Sequence, residues 1–437
     1  MANVKAKMSV LQGLTKTDHQ VLMAIYKMRC LDEVLIYEYF YKKDGQTEEY
    51  SLTRIDFFIE NCLLDSIEYG GDVPALFLTT EGIQTVKTVF DIPPEKWDPV
   101  LQKMRPSMKS ASQLRIKPLK IRHQIHLNGF VLHFRDLAEA YGLPYKYMDE
   151  ISVNGMEILH TTTFRPDGLI TLSNCDIFLE MDMATERVPQ LARKWEHYRS
   201  YLNTKEFAYK ENPTIVLFIT SNTRRTRLRR DTVLSTLNNS FFDQISPKFE
   251  FFIGDEETLI ALLKDRFIDQ YSAFSQKISS LQSVLMTYHG FSSSLAYNLV
   301  TDLEDTVFDL YIRKLNERKN ILVVDGKPQE FLVDYYINEP ISVLKKVAFF
   351  KAATVGIRAQ FGREISYLVV VDDIKSLYRD LSVLDIRSEP NVFFTTEERL
   401  RTKLFPEAIF QFDGLGSLFH FSDEVYNKPV FEQKMRF

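Results

Sequence analysis

The chain has 437 residues, 59 acidic and 54 basic, with a net charge of −5. That length supports two or three domains with real cores, while the charge excludes a globally basic nucleic-acid binder, so any attraction for phosphate has to be local. Cys30, Cys62 and Cys175 are widely spaced and form no CxxC, so neither a disulfide framework nor a zinc knuckle is indicated. With no basic-then-apolar leader and no run of ~18 apolar residues, a cytoplasmic protein without a membrane partner is expected.

Thr17-Asp18-His19-Gln20 reads as a capping box that opens a helix with Val21, Leu22, Ile25 and Met28 on one stripe. A second helix is expected near Asp32. A third is expected near Ser51, burying Leu52, Ile55, Phe58 or Ile59, and Cys62. A strand from Leu63 runs into Gly70-Gly71-Asp72, Ala75 to Thr79 returns, and Thr80-Glu81-Gly82 opens another helix. Three helices and a hairpin in this order predict a winged helix-turn-helix over residues 1–99. In that fold the third helix enters the major groove. Its exposed face would carry Arg54, but also Asp56, Glu60 and Asn61, so it is not strongly basic. A dimerisation role for the module stays open beside DNA binding.

Residues 100–123 read as a basic linker. No acid occurs between Leu101 and Arg135, while Lys103, Arg105, Lys109, Arg115, Lys117, Lys120 and Arg122 do. Such a run is either a solvated connector or a phosphate contact, and Lys117, Lys120 and Arg122 are the candidates for the latter.

The next domain, 124–265, contains RPDGLITLSNCDIFLEMDMATE, Arg165 to Glu186. From Ile177 to Met183 the residues alternate, which sets Phe178, Glu180 and Asp182 on one face of a strand. Gly168–Thr171 and Ile177–Met183 read as a hairpin with Asp167 at the end where Glu180 and Asp182 return. Three carboxylates converging there require a cation, and Mg²⁺ or Mn²⁺ suits oxygen ligands. A helix from about Thr185 to Asn203 follows, with Val188, Leu191, Trp195, Tyr198 and Leu202 on its apolar stripe and Lys194 on its flank. Tyr198 and Tyr201 read as packing aromatics, and His123, His126 and His160 as hydrogen-bonding histidines. A buried strand, Thr214 to Thr220, comes next. Then Arg224, Arg225, Arg227, Arg229 and Arg230 crowd seven positions. They are expected in a loop leaving the C-terminal end of a strand, as a clamp on phosphate.

This order of acidic strand, helix and strand resembles PD-(D/E)XK nucleases. The phrases RHQIHLNGFVLHF (Arg122 to Phe134), FRPDGLI, FLEMDMATE and LARKWEHYRSYL further resemble the replication-relaxation family of plasmids and mobile elements. The resemblance implies an N-terminal winged helix joined to a restriction-endonuclease-like α/β domain. It implies that Asp167 and Glu180 are metal ligands, that Asp182 stands in the place of the usual lysine, and that Lys194 supplies a displaced positive charge. Asp167, Glu180, Asp182 and Lys194 are thus the candidate catalytic residues.

Residues 266–319 are expected to form a helical connector of two long helices around Ser292-Ser293-Ser294. Residues 320–437 are expected to repeat the α/β unit. A shift of 153 residues sets Phe178 on Phe331, Glu186 on Glu339 and Val216 on Val369. It also sets Glu180 on Val333 and Asp182 on Tyr335, so the second unit reads as degenerate and without a metal site. Its hairpin is expected to join Ile321–Val324 to Phe331–Val333. The fold class is therefore mixed α/β behind a winged helix. The expected function is origin-specific nicking of DNA in mobilisation or replication. Its alternative is a non-catalytic replication factor or regulator on the same scaffold. DNA is the expected partner, with self-association possible through the winged helix or the C-terminal domain.

Overall fold

The computed structural model describes residues 10–69, 73–98, 102–154, 164–221, 226–245, 248–269, 273–294, 308–324, 327–387, 390–413, 416–422 and 425–434. The chain divides into two units, one of residues 1–161, 165–170 and 181–183, the other of residues 162–164, 171–180 and 184–437.

In the first unit, helix α1 (Lys16–Met28) is capped by Thr15 rather than by Thr17. Asp18 is the reason. Its carboxylate accepts from the Thr15 N–H at 2.7 Å while its own N–H donates to the Thr15 hydroxyl at 3.1 Å, the reciprocal pattern of a capping box. Strand β1 (Leu31–Asp32) leads into α2 (Glu33–Ile36), where Asp32 is the cap. Helix α3 (Glu48–Glu60) is capped by Thr47 and starts earlier than the expected Ser51. Ile55 and Phe58 are buried as expected, whereas Leu52 is partly open and Cys62 exposed. Strands β2 (Leu64–Ile67) and β3 (Ala75–Leu78) join β1 in the order β1-β3-β2, and α4 (Thr80–Val89) follows. The Gly70-Gly71-Asp72 turn lies outside the described residues.

The stretch expected as a bare linker carries regular structure. Strands β4 (Glu95–Asp98) and β5 (Lys103–Pro106) form a ribbon, and α5 (Pro118–Ala140) begins inside the basic run. Pro118 in the first turn explains that start, since a proline there forfeits no helical hydrogen bond. A polar tether fixes α5 in its unit. Asn128, fully buried, donates to the Met28 carbonyl at 3.1 Å and the Cys30 carbonyl at 2.6 Å, and accepts from Gln124. Replacing Asn128 with Ala leaves two buried carbonyls short of a donor and is expected to cost about 1–3 kcal/mol. Urea unfolding checks this, and a loss within ~0.5 kcal/mol contradicts it.

A five-stranded sheet runs in the order β10-β9-β8-β7-β6. Its strands are β6 (Lys146–Asp149), β7 (Gly168–Thr171), β8 (Asp176–Asp182), β9 (Thr214–Thr220) and β10 (Phe249–Gly254). Helix α6 (Val188–Leu202) links β8 to β9, α7 (Thr226–Ser240) links β9 to the parallel β10, and α8 (Glu256–Leu263) follows. Leu191, Trp195 and Tyr198 on α6 are fully buried as their spacing predicts, whereas Val188 at the helix start is exposed and Leu202 half-buried, so the stripe is shorter than expected. The Trp195 indole donates to the Thr236 hydroxyl at 2.9 Å, so this large side chain is buried with its one polar group satisfied.

Helix α9 (Ala273–Thr287) is the one long helix among the described residues of the expected two-helix connector. Ser292–Ser294 is not a helix break but strand β11, paired with β12 (Leu310–Arg313). The expected hairpin is also corrected. Val323–Val324 (β13) pairs only with Lys327–Pro328 (β14), and the antiparallel partner of β15 (Glu330–Tyr335) is β12. Beyond β15 come α10 (Ile341–Phe361), β16 (Ser366–Val370), α11 (Ile374–Val383), β17 (Val392–Thr395) and α12 (Glu397–Thr402). Strands β18 (Phe410–Phe412), β19 (Ser417–Ser422) and β20 (Val425–Lys434) complete an eight-stranded sheet, β11-β12-β15-β16-β17-β18-β19-β20. No helix among the described residues is long and apolar enough to cross a membrane.

Candidate functional site

Asp167 stands one residue before β7. Its carboxylate accepts from the backbone N–H of Met181 at 2.9 Å and lies 3.2 Å from the His123 imidazole on α5. Asp182, the last residue of β8, is buried. These four residues belong to the first unit. Strand β8 passes from the second unit to the first between Glu180 and Met181.

In the second unit, Glu180 is buried and fully engaged. Lys194 Nζ lies 2.9 Å from its Oε2, and the Tyr198 hydroxyl donates to its Oε1 at 2.6 Å. The Glu180 side chain is 2% exposed and that of Lys194 19%. Lys194 also lies 3.1 Å from Glu186, which precedes α6 rather than occupying its first turn. Lys194 and Tyr198 are four residues apart on one helix, so they reach the strand from the same face. Composition and period identified Lys194 but assigned Tyr198 to packing alone. The i,i+4 spacing to the lysine is the sign that it also serves the carboxylate.

A hard cation finds the right donor chemistry in Asp167, Glu180 and Asp182, yet both Glu180 oxygens already have partners. Among the described residues, no three His, Cys, Asp or Glu side chains gather into a group able to hold a metal ion.

The basic candidates divide. Lys117, Lys120 and Arg122 are exposed around the first turns of α5. Arg54 is not on an open face. Its guanidinium binds the buried Asp18 carboxylate, with Nε to Oδ1 at 3.2 Å, and stacks on Phe57. Asp18, the third residue of α1 and the partner of its Thr15 cap, thereby draws Arg54 inward. Arg224 and Arg225 lie outside the described residues. The other three arginines sit in the first turns of α7, not in a loop. Arg227 is exposed, and Arg229 donates to the Glu186 carbonyl at 2.7 Å. Arg230 is buried, with Nη2 to Asp380 at 2.9 Å, Nε 2.9 Å from Glu339 and Nη1 to the Ile253 carbonyl at 3.2 Å. Helical rotation turns it away from solvent, which corrects its reading as a phosphate ligand. All three cysteines are free thiols, and burial pushes Cys175 up to about 12.

Residues 79–216 match the model of the replication-relaxation family. The matched stretch runs from the start of α4 into β9 and contains Asp167, Glu180, Asp182 and Lys194. No curated protein and no solved structure matches the chain.

Proposed function

We propose that this chain is a DNA-binding protein of a plasmid, phage or integrated element whose nuclease-like α/β core nicks DNA at a defined site during mobilisation or replication. The observation that supports it best is the acid–lysine pair Glu180–Lys194, together with Asp167 held by the Met181 N–H, inside the stretch matched by the replication-relaxation family. In this reading α1 to α4 and their sheet are a winged helix that locates the site on DNA.

Asp167, Glu180 and Asp182 would hold Mg²⁺ or Mn²⁺, with substrate phosphate and water completing the shell, as Mg²⁺ commonly does with one or two carboxylates. When bound, the ion supplies a metal-activated water and stabilises a phosphoryl oxygen. The protein's own groups do the rest. The Met181 N–H fixes one Asp167 oxygen. Lys194 pairs with the buried Glu180 carboxylate, and its partly exposed ammonium would be the protein cation offered to a phosphate. Tyr198 holds the second Glu180 oxygen and so sets the rotamer of the carboxylate.

The full engagement of Glu180 favours a second reading, in which Lys194 replaces the metal for good and the fold is a scaffold for a non-catalytic replication factor. Both readings require DNA binding. Fluorescence anisotropy with duplex DNA over a salt series tests that requirement. We expect the triple variant Lys117→Ala, Lys120→Ala, Arg122→Ala to weaken binding and to flatten the slope of log K against log salt by about 0.9 for each phosphate no longer neutralised. An unchanged slope assigns those residues to a solvated face. Failure of the wild-type chain to bind any duplex contradicts both readings.

A further inference from the structure

Among the described residues, the ribbon of β4 and β5 pairs with no other strand. It lies within the first unit. Its register sets Trp97 opposite Met104, Lys96 opposite Arg105, Asp98 opposite Lys103 and Glu95 opposite Pro106. Alternation along each strand separates two faces. Trp97, Met104 and Pro106 share one with Glu95. The basic positions Lys96, Lys103 and Arg105 share the other with Asp98. All of β5 is exposed, Met104 at 51%, and Trp97 on β4 is 58% exposed.

The root of the ribbon is fixed although its body is uncovered. Pro93 and Pro94 lead into β4, and each proline holds its own φ narrowly. The Ser107 N–H donates to the Pro94 carbonyl at 3.0 Å and closes the base. Just beyond, Met108 is buried, and the Lys109 N–H donates to the Tyr26 hydroxyl on α1 at 2.8 Å. The Lys109 ammonium also reaches Asp149 at 2.8 Å. A two-stranded ribbon is only marginally stable in water, and the Trp97–Met104 pair supports it while leaving most of the indole wet. The chain has two tryptophans, and the other, Trp195, is fully buried.

We infer that the β4–β5 ribbon is an arm that holds an unpaired DNA strand, with Trp97 stacked on a base and Lys103 and Arg105 on the flanking phosphates. The choice of DNA rests on the function proposed above. The exposed indole selects the unpaired strand, because a base in a duplex is already stacked on both faces, whereas an unpaired base has a face free for an aromatic ring. The charge is complementary. Strand β5 carries no acid and opens the acid-free run that continues through Lys117, Lys120 and Arg122. Paired strands lie only about 5 Å apart, so long basic side chains on one face can reach phosphates beside a base stacked on the other. Stacking accepts any base, so the arm holds a strand without reading it. A strand freed by a nick is such a ligand.

Tryptophan emission of the full chain, titrated with single-stranded oligo-dT and separately with a mixed-sequence duplex, tests this. In the wild type, oligo-dT is expected to quench the emission, since Trp97 is open and Trp195 buried. Trp97→Ala should weaken binding of labelled oligo-dT, read by anisotropy, by about five- to 150-fold, the effect of one lost base stack, and hold duplex affinity within about twofold. Trp97→Phe keeps an aromatic face, so it should bind oligo-dT within about fivefold of the wild type while losing the quench. A quench that survives in Trp97→Phe puts the strand elsewhere and overturns the inference. Equal losses on both DNAs in Trp97→Ala make the ribbon a duplex contact, and unchanged affinities leave it to a protein partner; either result overturns the assignment. A wild type that binds duplex but not oligo-dT overturns the arm and leaves the proposed function standing. A wild type that binds neither contradicts the arm and the proposed function together.

Discussion

Replacing Asp380 with Ala is expected to lower the stability of the second unit by about 3–5 kcal/mol, because it strands a buried guanidinium. Arg230 is nine-tenths hidden and the Asp380 side chain is 2% exposed. Asp380 also accepts the Tyr336 hydroxyl at 2.6 Å, so the variant removes two acceptor functions at once. Glu339 remains beside Arg230 but is a third exposed and lies on the guanidinium's Nε edge, away from the vacated Nη2. A second ion pair between the same two helices provides an internal contrast. Arg379 and Asp231 are 31% and 21% exposed, where solvent screens the pair and either partner can rehydrate. Arg379→Ala should therefore cost only about 0–1 kcal/mol. Urea unfolding of both variants measures the difference. Equal losses would mean that the two pairs share one environment, against the asymmetry of their burial.

The second large effect concerns Lys194. Lys194→Ala should slow DNA nicking by about 10²–10³, the usual loss when one fixed electrostatic interaction with developing charge is removed. Duplex affinity should stay within about threefold, because Lys194 is mostly covered and its present partners are Glu180 and Glu186. That split between rate and binding separates a role at the reacting phosphate from a role in general attraction. Lys194→Arg keeps the charge but replaces a compact ammonium with a planar fork, so partial recovery is expected. A Lys194→Ala chain that binds poorly but cuts the bound DNA at the wild-type rate contradicts the assignment.

Much of the first α/β half was legible in the sequence, since it is written in local pattern. The strand at Asp176–Asp182, the Leu191–Trp195–Tyr198 stripe and the apolar run at Thr214–Thr220 form where their patterns predict, although the first of these strands is buried on both faces rather than alternately. Lys194 could be placed on the flank of its helix for the same reason. What escaped depends on partners remote in sequence. Arg230 looked like one of five exposed cations because its acceptor, Asp380, is 150 residues away. Arg54 looked open because Asp18 is on another helix. The pairing of β15 with β12 was hidden by the long segment that separates them.

The central claim is that Asp167 and Glu180 take part in metal-dependent scission of DNA. Its most direct test is conversion of supercoiled plasmid carrying the element's own origin to open circles, with the wild-type chain and with Asp167→Asn, Glu180→Gln, in Mg²⁺ and in EDTA. Open circles formed by the wild type in Mg²⁺ alone, with the double variant inactive though still bound to DNA, are the predicted result. Nicking that persists in EDTA or in the double variant, or a wild-type chain that binds the origin and leaves it supercoiled in Mg²⁺, would contradict it.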